Sequence, residues 1–68
     1  MNNEITLKNN VKQARVEKKL SQEELASLTG STRQTIIAIE KGIFSPTAKL
    51  ALLICLALDK KFEELFYF

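Results

Sequence analysis

The sequence contains no histidine and no tryptophan, and only one cysteine, one proline and two glycines among its 68 residues. Without histidine, and with a single thiol, it offers no metal-ligand spacing and no side chain that titrates near neutral pH as a general base. Two isolated glycines cannot form the Gly-rich loop that cradles a nucleotide phosphate. The carboxylate pairs Glu23-Glu24 and Glu63-Glu64 are adjacent in helical stretches, so their side chains diverge rather than converge on a substrate. The chain is therefore expected not to be an enzyme, with no metal and no cofactor.

Cys55 stands alone inside an apolar run, which excludes a disulfide framework and suits a buried structural thiol. The longest apolar run, Leu50 to Leu58, has nine residues. That is about half of what a bilayer span needs, so membrane insertion is not expected. The opening Met1-Asn-Asn-Glu-Ile5 has no basic segment leading into an apolar one, so no signal peptide is expected and the cytoplasm is the default. Aromatic residues are few, and the four Phe and Tyr67 are not interleaved with the basic residues. There is thus no stacking platform for single-stranded RNA, and the narrow A-form major groove cannot admit side chains.

What is present is a 46% hydrophobic composition, enough for one small core and one domain spanning residues 1–68. Ten basic and eight acidic residues leave a net charge of only +2, so attraction to nucleic acid has to come from local clustering. Lys8, Lys12, Arg15, Lys18 and Lys19 gather in the first third, and Asp59, Glu63 and Glu64 near the other end.

Periodicity predicts helices throughout, with no strand. Leu7, Val11 and Ala14 form the stripe of a first helix that ends near Lys18-Lys19, a pair suited to the negative end of a helix dipole. Ser21-Gln-Glu-Glu24 is a capping box, Leu20 and Leu25 can close a hydrophobic staple, and Leu25, Ala26 and Leu28 supply a short apolar face before Gly30 ends the second helix. About three residues then separate it from a third helix, the connection of a helix-turn-helix over about residues 21–41. Thr32 can cap this third helix, or Ser31 with Gln34 can start it one residue earlier, and Gly42 ends it. Ile36, Ile39 and Glu40 share one stripe, while Arg33, Gln34, Ile37, Ala38 and Lys41 share the opposite one. Pro46 breaks the chain, Thr47 caps a fourth helix from Ala48 to about Ala57, Asp59 ends it, and a short fifth helix runs from Phe62 to about Phe66.

With this order in place the sequence resembles the Cro/C1-type, or XRE, helix-turn-helix family from Leu7 to Phe66. The resemblance is carried by Leu20-Ser-Gln-Glu-Glu-Leu-Ala26, Gly30, Thr32-Arg-Gln-Thr-Ile36, Ile39-Glu-Lys-Gly42, Ser45-Pro46 and Glu64-Leu-Phe66. It implies a compact, all-α, five-helix, lambda-repressor-like domain. By the same resemblance Ser21 and Gln22 bind DNA phosphates, with Gln22 also bracing Arg33. Thr32, Arg33, Gln34 and Ala38 face the major groove or its edge, and Lys41 meets the backbone. The resemblance further implies a buried ion pair between Arg15 and Glu40, the alternative for Glu40 being a carboxylate reaching solvent. Four positions depart from the pattern: Ser31 replaces an apolar turn residue, Lys61 a hydroxyl cap, and Leu53 and Leu56 usually polar positions.

The side chains fit those roles. Arg33 has a planar fork for guanine O6 and N7, Gln34 pairs with adenine N6 and N7, and Ala38 can meet a thymine methyl. Ile37 either does the same or tucks against the loop around Phe44. Ser21, Gln22, Thr32, Thr35 and Lys41, with helix N-terminal amides, would set register on phosphates. Leu53, Leu56, Phe66, Tyr67 and Phe68 predict a homodimer surface within residues 53–68, unless the tail covers its own core. The expected partner is a near-palindromic double-stranded DNA operator, and the expected function is transcriptional regulation, most simply repression. A protein-interaction module of antitoxin type, with autoregulatory DNA binding, is the competing expectation.

Overall fold

The computed structural model describes residues 6–68, and within them five helices occur in order. They are α1 (Val11–Glu17), α2 (Gln22–Thr29), α3 (Arg33–Glu40), α4 (Ala48–Leu58) and α5 (Phe62–Leu65). The sequence is polar over residues 1 to about 6 and fraying is expected there; residues 1–5 of that stretch lie outside the described ones.

Helix starts follow the side chains that cap them. Ser21 Oγ accepts from the Glu24 amide at 3.0 Å, and the Glu24 carboxylate accepts from the Ser21 amide at 2.8 Å, completing the predicted box. Thr32 caps α3 through the Thr35 amide at 3.2 Å, which decides between the two possible starts. Thr47 caps α4 through the Leu50 amide at 3.2 Å. At α5 the hydroxyl missing from Lys61 is replaced from the other side, since the Glu64 carboxylate accepts from the Lys61 amide at 2.7 Å.

Helix ends obey one rule four times. Lys19, Gly30, Gly42 and Asp59 each have positive φ, at 59°, 67°, 76° and 55°. Around each of them the chain turns back so that two amides reach carbonyls of the last helical turn: Lys19 to Val16 and Leu20 to Arg15, Gly30 to Ser27 and Ser31 to Ala26, Gly42 to Ile39 and Ile43 to Ala38, Asp59 to Leu56 and Lys60 to Cys55. These are Schellman ends. Ser31, which stands where the family pattern has an apolar turn residue, shares a hydrogen bond with the buried Thr29 hydroxyl at 3.0 Å.

Two expectations fail. A pair of two-residue antiparallel strands, β1 (Lys8–Asn9) and β2 (Phe66–Tyr67), joins the two ends of the described chain, with Lys8 opposite Tyr67 and Asn9 opposite Phe66. Leu7 therefore precedes a strand instead of opening α1. Asn9 stops the helix from extending backward, because its Oδ1 accepts from the Val11 amide at 3.1 Å while its Nδ2 donates to the Ile39 carbonyl at 2.9 Å. Leu28, assigned to the apolar face of α2, is exposed, and the inward position belongs to Thr29, whose hydroxyl donates to the Leu25 carbonyl at 2.8 Å.

The core is one cluster. Val11, Leu25, Ile36, Ile39, Ile54, Leu58 and Leu65 are almost wholly buried, each removing enough apolar surface to contribute about 1.5–3 kcal/mol. α2 packs on α3 and α4, α1 on α3, and α5 on α4. Cys55 is buried within this cluster, and desolvation raises its thiol pKa above that of a free cysteine. Among the described residues no helix is long and apolar enough to cross a membrane.

Candidate nucleic-acid interface

α3 has the two faces its spacing predicts. Ile36 and Ile39 are fully buried against the core, while Arg33, Gln34 and the flanking Thr32 and Lys41 are exposed on the other side. Thr35, Ile37 and Ala38 are half-buried. The Thr32 and Thr35 hydroxyls share a hydrogen bond at 3.0 Å, so both sit at the start of the helix beside amides that lack an upstream carbonyl. At the other end the Ala38 carbonyl accepts from both Ile43 and Phe44, at 2.9 and 3.2 Å. This pins the following loop against the last turn of α3.

Glu40, polar on an otherwise apolar stripe, is held by three donors. Arg15 Nε lies 2.7 Å from Oε2 and Arg15 Nη2 3.3 Å from Oε1, a forked pair with side-chain exposures of only 10% and 4%. Gln22 Nε2 adds a third bond to Oε1 at 3.1 Å. Arg15 Nη1 meanwhile donates to the Leu20 carbonyl at 2.8 Å. The cluster thus ties α1, the α1–α2 turn, the first turn of α2 and the last turn of α3 together. The ion pair is present and buried; the alternative of a Glu40 carboxylate reaching solvent is excluded. Gln22, however, braces Glu40, not Arg33 as the resemblance implied, because from the first turn of α2 its amide reaches the C-terminal end of α3.

Ser21 is exposed at the start of α2, with its oxygen accepting in the capping box. Its hydroxyl proton remains available to an acceptor outside. Ser21 and Gln22 thus lie at the start of α2, and Thr32, Arg33, Gln34 and Thr35 at the start of α3.

The expected self-association residues divide. Leu56 is 79% exposed and Phe68 73%, with Tyr67 exposed and Leu53 half-buried. Phe66 does not belong with them. It is 4% exposed, with its ring centroid 5.2 Å from that of Phe62, because strand pairing opposite Asn9 turns it into the core. The tail therefore covers part of its own core at Phe66 while leaving Phe68 outside. Sequence reasoning missed Leu52 and Phe62, both about half exposed. Together with Leu7, Pro46 and Phe66 they line an apolar groove of about 200 Å³. For Leu52 the signal in the sequence is its (i, i+4) spacing with Leu56.

A helix-turn-helix family model matches residues 11–65. An uncharacterized HTH-type transcriptional regulator of Bacillus subtilis is 48% identical over 61 residues, covering 90% of this chain and 92% of its own. Another from Methanocaldococcus jannaschii is 45% identical over 62 residues, covering 91% and 94%. Among solved structures, the restriction-modification controller protein C.AhdI from Aeromonas hydrophila superposes with a TM-score of 0.75 at 33% identity, covering 79% of this chain and 78% of that one.

Proposed function

Because the chain belongs to the helix-turn-helix family of DNA-binding transcriptional regulators, which are not enzymes, we propose that it acts as a sequence-specific repressor that reads an operator with α3. The observation that carries this reading is the two-sided α3: a buried Ile36/Ile39 face fixes the helix, and Arg33 and Gln34 stand free on the other. Arg33 bridges guanine O6 and N7, Gln34 pairs with adenine, and the open parts of Ile37 and Ala38 approach thymine methyls. Ser21, Gln22, Thr32, Thr35 and Lys41 set the register on phosphates, aided by the N-terminal amides of α2 and α3. Repression is the simplest mode for such binding, because a domain seated on an operator that overlaps a promoter occludes it. The cytoplasm is its place of action.

The protein binds as a homodimer through Leu52, Leu53, Leu56, Phe62, Tyr67 and Phe68. The support is the number of exposed apolar side chains on α4, α5 and the tail, since monomers seldom leave much apolar surface open. A twofold axis then sets two α3 helices about 34 Å apart, matching a near-palindromic operator. The same surface supports a second reading, in which it receives a different protein and DNA binding serves autoregulation. Light scattering at tens of micromolar separates them, because a dimer mass supports self-association and a monomer mass points to the other partner. The solved structure with the similar fold is a restriction-modification controller protein, which is consistent with a regulatory role.

A further inference from the structure

Gln22 sits at the boundary between the buried cluster and the surface. Its side chain is half-buried, and its Nε2 spends one proton on Glu40, a carboxylate that is itself 4% exposed and cannot touch DNA. Glu40 lies in the last turn of α3 and Gln22 in the first turn of α2, so this bond spans the two helices that would face DNA. No other side-chain hydrogen bond among the described residues joins α2 to α3 directly.

We infer that Glu40 is a positioning residue for DNA recognition, acting through Gln22. The inference rests on the reading that α3 contacts bases and the start of α2 contacts phosphates. By holding the Gln22 amide, Glu40 locks the first turn of α2 against the last turn of α3, so that phosphate register and base readout are set as one rigid unit. Arg15 supplies the countercharge that holds Glu40 in place, and its own bond to the Leu20 carbonyl fixes the turn that leads into α2. When the lock is lost the α3 side chains are intact but misaligned with a phosphate register set elsewhere. Such misalignment weakens binding to the correct sequence and leaves loose, sequence-independent binding almost as it was.

The test replaces the pair by side chains of similar length, Arg15→Met with Glu40→Met. Exchanging a buried ion pair for apolar groups of similar volume is often neutral or stabilising, and every side chain on the DNA-facing surface is unchanged. Affinity for a selected operator and for random duplex is measured at one salt concentration. The lock predicts that the ratio of the two falls by about tenfold, the equivalent of one charge-assisted hydrogen bond, and that adding Gln22→Met lowers it by less than a further twofold. An unchanged ratio in the folded double variant overturns the inference. Should that variant fail to fold, Gln22→Met alone decides, because Glu40 keeps Arg15: a fall in the ratio supports the lock, and an equal loss on both duplexes, or none, overturns it. If the wild-type protein shows no preference for any duplex, the DNA-reading function itself fails and the inference goes with it.

Discussion

Replacing Glu40 by alanine leaves the Arg15 guanidinium charged, with side-chain exposure of only 10% and a single remaining acceptor, the Leu20 carbonyl. Gln22 loses its partner at the same time. Stranding one member of a buried pair costs about 3–5 kcal/mol, more than the pair itself contributes, because the uncompensated charge has no route to water. A 68-residue domain at 0.05–0.15 kcal/mol per residue has roughly 3–10 kcal/mol in total. Glu40→Ala should therefore remove a third or more of the stability and lower Tm by at least about 12 °C. The assay is urea denaturation followed by circular dichroism, with the double variant Arg15→Met/Glu40→Met as control. The control should recover most of the loss, since no charge is then left buried. A loss below about 1 kcal/mol for Glu40→Ala would refute the reasoning, for it would mean that the pair behaves as a solvated surface contact.

Four further outcomes follow from the same contacts. Lys19→Gly should stabilise by about 0.5–1 kcal/mol in chemical denaturation, and Asp59→Gly by less, since both occupy left-handed backbone that costs a lysine more than an aspartate. Ser21→Ala should cost about 1 kcal/mol in the same assay by opening the capping box. In fluorescence anisotropy, Arg33→Ala should lose about 1–3 kcal/mol on operator DNA and relax one position per half-site, whereas Lys41→Ala should weaken all duplexes alike and reduce the salt slope by about one. Leu56→Glu should convert a dimer to a monomer in light scattering without lowering Tm by more than about 3 °C, because a residue 79% exposed in the protomer contributes little to its own core.

The helices were legible because their signals are local. Ser21, Thr32 and Thr47 each cap through an amide three residues on, and Gly30, Gly42 and Asp59 end helices through their own backbone preference. The two-sided pattern of α3 was legible for the same reason. Lys19 was not, since nothing in a lysine favours positive φ; it is driven there by the return of Leu20 to the Arg15 carbonyl. The two-residue strands carry no period to detect, and they exist only because folding brings residues more than fifty positions apart into register. Phe66 illustrates the consequence: composition marks it as one of a run of exposed aromatics, but pairing with Asn9 buries it. The Gln22 bond to Glu40 depends on how α2 crosses α3, which sequence spacing does not encode.

The most direct test of the central claim is selection from a random duplex pool by the purified protein, at near-physiological salt with competitor, followed by sequencing. Enrichment of an inverted repeat with half-site centres about 10 base pairs apart is the predicted result. A pool that emerges without any enriched sequence would contradict the assignment of Arg33 and Gln34 as readers of DNA.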